Sequence, residues 1–383
     1  MELILACART RLGEAQRERV AMLARLETDW AGLVQRARDH GVAPLVHRSL
    51  ECVCPSATPE GPRAELQAAF RANRFRNGTR VAELLRAVSV LEERGITTLA
   101  LKGLALGARA YGDVSLRQHT DLDLLVSDRS FAAAREALYG QGYRDAPPDE
   151  PGSRSHPPDG DHAVSLLGPE GAAPIDLHRS LMPTSFLGRI DVEHVWRRHD
   201  RIELGQGHVR VLHPEDELVY LCVHGAKNWW HRLSWLCDVA EAIRSRADLD
   251  WDAVVSLARR WRALRMLRLG ALLAFDLLQA PVPSDVVASA RSDRAVGALA
   301  ARLRLELLAG SWTRFDDAAR ARFHLALADG QRERARHLLH LARRYARPNA
   351  LDREMVVLPK AMEPAYYGVR AVRLSLRWWS YRT

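Results

Sequence analysis

The sequence predicts an α+β chain. A small mixed sheet with helices is flanked by N-terminal helices and followed by a C-terminal helical domain. Three observations predict this. Residues 96–101, Ile-Thr-Thr-Leu-Ala-Leu, form a short apolar run with β-branched residues that stops at Lys102-Gly103, as a buried strand ending in a tight turn would. Residues 121–126, Asp-Leu-Asp-Leu-Leu-Val, begin with acid and leucine alternating at the period of a strand. The regions on both sides are rich in Arg, Ala and Leu, which favour helix.

Taken in order, residues 1–94 read as a helical region. Leu23, Leu26, Trp30, Leu33 and Val34 recur at helical spacing, and Gly41 to Pro44 mark a break. A loop over 54–62 leads to a long helix from Arg63 to about Arg94, closed by Gly95, which packs behind the sheet and presents the first strand. Residues 95–212 are the candidate catalytic core. It holds the first strand, two helical turns after Gly103, the strand with Asp121 and Asp123, and a helix from Asp128 to Tyr139. A Pro-rich mobile loop or hairpin tip over 146–161 comes next, followed by paired strands at 162–167 and 174–181 and a short strand pair at 201–212.

Residues 213–345 read as the C-terminal helical domain. Pro214 in the first turn, with Glu215, Asp216 and Glu217 behind it, starts a helix expected to run to about Arg246. At about 100° per residue, His224, Lys227, Asn228, His231, Trp235 and Asp238 fall on one stripe of it. A stripe of that chemistry suits a cleft wall better than an ordinary solvated face. Further helices are expected over 251–279, 283–311 and 315–345.

The acids carry the chemistry. On a strand, Asp121 and Asp123 share a face while Leu122 and Leu124 take the other. Two carboxylates side by side over a buried face repel, and a hard cation such as Mg²⁺ resolves the conflict while keeping phosphate oxygens as further ligands. A third carboxylate follows in Ile175-Asp176-Leu177-His178, again strand-like, with Asp176 and His178 on one face.

Strand, Gly turn, helix, Asp-x-Asp strand and a later strand Asp together resemble the polymerase-β-like nucleotidyltransferase fold. The closer resemblance is to the bacterial uncharacterised nucleotidyltransferase family. The motif residues here are Leu101, Lys102, Gly103, Tyr111, Arg117, Asp121, Asp123, Leu125 and Val126, then Asp176-Leu177-His178, with His224 and Trp235-x-x-Asp238 in the later helix. Lys102-Gly103 stands where polymerase-β-type enzymes carry Gly-Ser.

The resemblance implies transfer of a nucleoside monophosphate from an NTP, ATP first, to a hydroxyl or similar acceptor on a small molecule, peptide or protein. Asp121, Asp123 and Asp176 would be catalytic and would hold Mg²⁺, two ions, with Mn²⁺ able to replace it. Lys102, Gly103 and Arg117 would contact the triphosphate, Arg117 otherwise pairing with Asp121. His178, His224 and Lys227 would contact acceptor or phosphate. A peptide or metabolite acceptor is expected ahead of nucleic acid. The alternative is a non-catalytic nucleotide- or RNA-binding module with the same fold. A kinase reading finds no Walker-type Gly-rich loop.

The net charge of +9 is uneven: residues 331–383 hold twelve Lys or Arg against four Asp or Glu, a surplus of +8 that leaves about +1 for the rest. The tail, 346–383, interleaves Tyr366, Tyr367, Trp378, Trp379 and Tyr381 with Arg370, Arg373, Arg377 and Arg382. Docking of these aromatics on a domain is the favoured reading, and a weak contact with a polyanion such as RNA or an anionic membrane is the second. Five cysteines at spacings that match no zinc site point to a reduced, cytoplasmic protein. No window is apolar enough for a membrane span and no leader is expected.

Overall fold

The computed structural model describes residues 1–147, 162–183, 193–309 and 317–380, without the side chains of 317, 344, 345, 350, 360, 361 and 376–380. The expected loop at 146–161 lies outside the described residues from 148 onward, as do the side chains of Trp378 and Trp379 and the whole of Tyr381. The described residues form two compact units, Met1–Asp329 and Gly330–Thr383.

The first unit opens with α1 (Glu2–Cys7), α2 (Glu14–Leu26), α3 (Trp30–Asp39), α4 (Ala43–Val53) and the long α5 (Glu60–Glu92). Gly95, at φ +72°, supplies the left-handed residue after α5, and the Ile96 amide turns back to the Leu91 carbonyl at 3.0 Å. The core follows with β1 (Thr98–Ala100), α6 (Gly103–Arg109), β2 (Leu122–Val126), α7 (Phe131–Tyr139), β3 (Arg144–Asp145), β4 (Ala163–Leu167), β5 (Ile175–His178), α8 (Glu193–Arg197), β6 (His199–Leu204) and β7 (Gly207–Leu212). The seven strands make one mixed sheet in the order β3-β4-β5-β2-β1-β7-β6. β2 runs antiparallel to β1 and parallel to β5, and β4 runs antiparallel to β5.

Period-two alternation divides the sheet into two buried faces. Leu122, Leu124, Val126, Ile175 and Leu177 join Leu84, Val88 and Leu91 of α5 and Phe131, Ala134 and Leu138 of α7 in one apolar cluster. Leu99, Leu101 and Leu125 look the other way, into a larger cluster built with the flanking helices. Asp123, Asp176 and His178 are on this second side, so the strand that buries leucine behind α5 presents its acid toward the helical flank.

The flank comprises α9 (Pro214–Lys227), α10 (Leu233–Arg244), α11 (Trp251–Arg260), α12 (Leu264–Leu278), α13 (Ser284–Ser292), α14 (Arg294–Leu308) and α15 (Asp317–Leu327). The start of α9 is as expected, with Pro214 at its first turn and three acids engaged: Glu215 by Arg198 and His213, Asp216 by His194, and Glu217 by Arg109.

The single helix expected over 213–246 is not formed. The chain breaks after Lys227, with Trp229 and Trp230 both left-handed at φ 53° and 54°, and resumes at Leu233. The Trp230 amide folds back on the Gly225 carbonyl at 2.9 Å. Its ring lies where a side chain at 225 would be, since a Cβ built there meets Trp230 Cζ3 at 2.3 Å.

The other long helices expected downstream are also divided. Left-handed Arg262, φ 57°, separates α11 from α12, and the Asp293 side chain caps α14 by accepting from the Ala295 and Val296 amides at 3.0 and 3.3 Å. Gly330 separates α15 from α16 (Gln331–Ala346).

In the second unit α16 is followed by α17 (Ala350–Met355) and α18 (Tyr366–Ser380). Asp352, fully buried, takes Arg373 Nε at 2.6 Å and Arg370 Nη1 at 3.4 Å. Tyr366 is buried and its hydroxyl accepts from the Leu358 amide at 3.0 Å, whereas Tyr367 is exposed. The described part of the tail therefore packs on its own unit, with Arg370 and Arg373 engaged by Asp352 and Arg353 by Glu363. No helix among the described residues is long and apolar enough to cross a membrane, and all five cysteines are free.

Candidate active site

Register creates the site. β2 and β5 are neighbouring parallel strands with Asp123 opposite Asp176, so their carboxylates emerge side by side on one face. His178, two residues on in β5, shares that face. Asp123, Asp176 and His178 offer ligand atoms within 4.8 Å of one another, and all three residues are buried. His178 Nε2 lies 3.1 Å from Asp123 Oδ1, and Lys102 Nζ donates to Asp123 Oδ2. Ser165 of β4, in register with Asp176, donates its hydroxyl to Asp176 Oδ1 at 2.6 Å.

Of these groups Lys102 and Asp123 line a cleft of about 380 Å³, together with Arg117, His119, Asp121 and the α9–α10 break, while Asp176, His178 and Ser165 are not among its lining residues. Arg38, Arg76 and Arg232 stand around it, from α3, from α5 and from just before α10. The deep carboxylates are thus surrounded by cations, an electrostatic setting for a polyanion that arrives with a divalent ion. Gly103, φ 57°, follows Lys102 in the left-handed region and is buried, with the Asp121 carbonyl 3.9 Å from where a Cβ would lie.

Asp121 lines the cleft but is not part of the converging trio. β2 begins at Leu122, and Asp121 sits on the bend before it, partly exposed. Arg117 does not pair with Asp121. Its Nε and Nη2 each donate to Asp238 of α10 at 2.8 Å, and the Tyr111 hydroxyl donates to Asp238 Oδ1 at 2.7 Å. Burial works against the Arg117 charge, but Asp238 more than restores it and the guanidinium pKa ends above its ordinary value.

His224 packs its ring edge-on against Trp235, centroids 5.6 Å apart, and both line the cleft with Asn228. Lys227 points elsewhere, its Nζ 3.4 Å from His162 Nε2, and His162 in turn sits edge-on to His178 at 5.8 Å. His231 packs on Trp235 at 4.4 Å and is not among the cleft-lining residues.

A family model described as uncharacterised nucleotidyltransferase matches residues 27–279. The chain belongs to this family. It is therefore a nucleotidyltransferase, and the mixed sheet with helical flanks is the nucleotidyltransferase fold of this chain. Among solved structures it is similar to the solution structure of the antibiotic-resistance factor ANT(2'')-Ia, at 14% identity and a TM-score of 0.29, over 61% of this chain and 95% of that one. No curated protein matches the sequence.

Several residues that build the nucleotidyltransferase cleft were not singled out from the sequence. Asn73 and Asn77 of α5, both fully buried, hold the segment that leads to the acids: Asn73 Nδ2 donates to the Ser115 and Arg117 carbonyls at 2.7 and 3.2 Å, and Asn77 Nδ2 to those of Val114 and Arg117 at 2.6 and 2.9 Å. Their signal was available, since two Asn four residues apart inside a long helix pay a propensity cost that needs a reason. His119 is braced by Arg80, whose Nη1 reaches its Nδ1 at 3.2 Å and its carbonyl at 2.7 Å. Burial, with Arg117 and Arg80 close by, lowers the His119 pKa to about 3, so the ring is neutral.

Proposed function

We propose that this nucleotidyltransferase moves a nucleoside monophosphate from an NTP, ATP first, to a hydroxyl or similar acceptor on a small molecule, peptide or protein, breaking the bond between the α- and β-phosphates and releasing pyrophosphate, with Mg²⁺ as cofactor. The observation that carries the reading is the in-register pair Asp123–Asp176 with His178 at one buried point beneath a cationic cleft. The donor set fits a divalent ion: two carboxylates offer the hard oxygens Mg²⁺ requires, and the imidazole makes Mn²⁺ an equal candidate. Asp123 and Asp176 would hold it, with Asp121 at the mouth available for a second ion. When bound, such ions offset the charge that opposes attack of one oxygen on an anionic phosphate.

The remaining roles belong to the chain. Asp176, fixed by Ser165, accepts the proton of the acceptor hydroxyl. Lys102 neutralises Asp123 in the resting site and turns its ammonium to a phosphate oxygen when nucleotide arrives. Gly103 lets the backbone approach the phosphates. Arg117, aimed by Asp238, adds positive potential beside them. His224 and Trp235 form an aromatic wall for the acceptor or the base, and Lys227 meets His162, which in turn sits edge-on to His178.

The test is thermal unfolding with ATP, Mg²⁺ and both, followed by incubation with α-labelled NTPs and a cell extract as acceptor source. ATP and Mg²⁺ together should raise Tm more than either alone, and label should pass to an extract component. Asp123→Asn should lose both effects. A variant that keeps the ATP–Mg²⁺ synergy would show that the metal is not held here.

A further inference from the structure

We infer that the first unit carries a second binding site, for a small carboxylate attached to an apolar body, in the cleft formed by α1, α2 and the facing ends of α12 and α14. This cleft, about 350 Å³, shares no lining residue with the acidic one. That volume is in the range of small-molecule pockets.

The first observation is Arg9, only 7% exposed. Its Nη2 donates to two neutral oxygens, the Leu278 carbonyl at 3.0 Å and Gln279 Oε1 at 3.2 Å, while its buried Nε has no partner among the described residues. Glu241, the acid whose charge acts on Arg9, is already taken by the Thr10 hydroxyl and by Arg244, and Arg244 also donates to the same Leu278 carbonyl. Arg9 is thus a desolvated cation without a carboxylate of its own, the kind of charge that proteins otherwise pair. Burial, with Arg244 alongside, lowers its pKa to about 10.

A second observation concerns Gln279, which ends α12 in the left-handed region at φ 55°, ψ 40°. Its backbone N–H closes the helix on the Ala274 and Phe275 carbonyls, a left-handed cap that helices commonly use. That closure sets the Gln279 amide oxygen against Arg9.

The walls complete the chemistry. Arg19 and Arg304 are exposed guanidiniums with no ion pair among the described residues; of the two acids in the lining, Asp276 is held by Arg291 at 2.9 Å and Glu2 is exposed to solvent. Beside them stand Leu305, 67% exposed, and Leu308, 41% exposed, over a buried floor of Leu5 and Ala6. Three arginines next to exposed leucines fit a ligand with an anionic head and an apolar body. A bare anion would leave the leucines unused, and a neutral apolar molecule would leave Arg9 unpaired.

The experiment is calorimetric titration of the full-length protein with 2-naphthoate as probe, and with 2-naphthalenemethanol and acetate, which keep only the ring or only the head. Saturable one-to-one binding of naphthoate, at least tenfold tighter than either control and unaffected by ATP, is expected. Arg304→Gln, on the surface, should weaken it severalfold, Leu305→Ser likewise, and Arg9→Gln should abolish it. The proposal fails if the alcohol binds as well as the acid, if Arg304→Gln leaves affinity unchanged, or if ATP competes. It fails also if no probe binds and Arg9→Gln only lowers Tm, since Arg9 would then be a cap on the last carbonyls of α12.

Discussion

Arg117 and Asp238 meet through two parallel hydrogen bonds of 2.8 Å each, across 121 residues of sequence. The pair fastens the segment before β2 to the helix that follows the Trp229–Trp230 break, and Tyr111 adds a third bond to the same carboxylate. Removing the acid leaves a buried guanidinium uncompensated. Asp238→Ala should therefore cost about 3–5 kcal/mol in urea unfolding. Asp238→Asn, which keeps the shape and part of the hydrogen bonding, should cost less, and equal losses for both variants would argue against the ion pair as the cause.

The asparagines of α5 should separate stability from activity. Asn73→Ala and Asn77→Ala each remove a donor from two buried or part-buried carbonyls, worth about 1–3 kcal/mol. Both donate to the Arg117 carbonyl, which keeps one donor in each single variant and loses both in the double, so the double variant should cost more than the two single costs combined. Because that loop carries Arg117 into the cleft, nucleotide affinity measured by titration should fall in each variant under conditions where it remains folded.

Gly225 is a packing requirement. A Cβ at 225 would lie 2.3–2.5 Å from the Trp230 ring, so Gly225→Ala must displace the indole and should cost about 1–3 kcal/mol as overpacking. Combining it with Trp230→Leu should recover part of that cost in a double-mutant cycle. An Ala variant as stable as the parent would contradict the placement of the ring.

His40 should make stability depend on pH. Burial is the largest influence on it, opposed by Asp39 and reinforced by His231 and Arg232, and it brings the pKa from 6.5 to about 4. Its Nδ1 accepts the Leu233 amide at 3.4 Å and so must be unprotonated in the fold. Below about pH 6.5 the unfolded chain takes up a proton that the folded chain refuses, so this contribution is complete above pH 6.5 and is lost as pH falls through 4. Urea midpoints between pH 7 and 4 should fall less steeply for His40→Asn than for the parent. Parallel curves would assign the acid sensitivity to other groups.

The core of the site was legible because it rests on short-range rules. Alternation in Asp-Leu-Asp-Leu set Asp121 and Asp123 on one face of their strand, and in Ile-Asp-Leu-His it set Asp176 with His178; the pairing of the two strands, which neither stretch shows alone, is what brings Asp123 opposite Asp176. Asp121 was less legible, since the point at which a bend becomes a strand shifts by a residue without any change in pattern. The break at 228–232 gave no local sign: Asn-Trp-Trp-His-Arg contains neither Pro nor Gly, and the helix gives way because Trp230 finds room over Gly225 and Gly270. The partner of Arg117 was equally hidden. Asp238 was placed on the cleft-facing stripe, but which cation it holds depends on how two distant segments dock.

The Trp230 ring has a consequence for how the sequence can change over time. A Cβ at Gly225 or at Gly270 would meet that ring, at 2.3 and 3.1 Å respectively. Positions 225, 230 and 270 therefore cannot drift one at a time. A lineage that enlarges Gly225 must first shrink the tryptophan, whereas Gly270 is also closed by Cys222 Sγ, 2.7 Å from where its Cβ would lie, so losing the tryptophan frees Gly225 alone. Positions 225 and 230 amount to a single heritable character, to which 222 and 270 are tied through the same contacts.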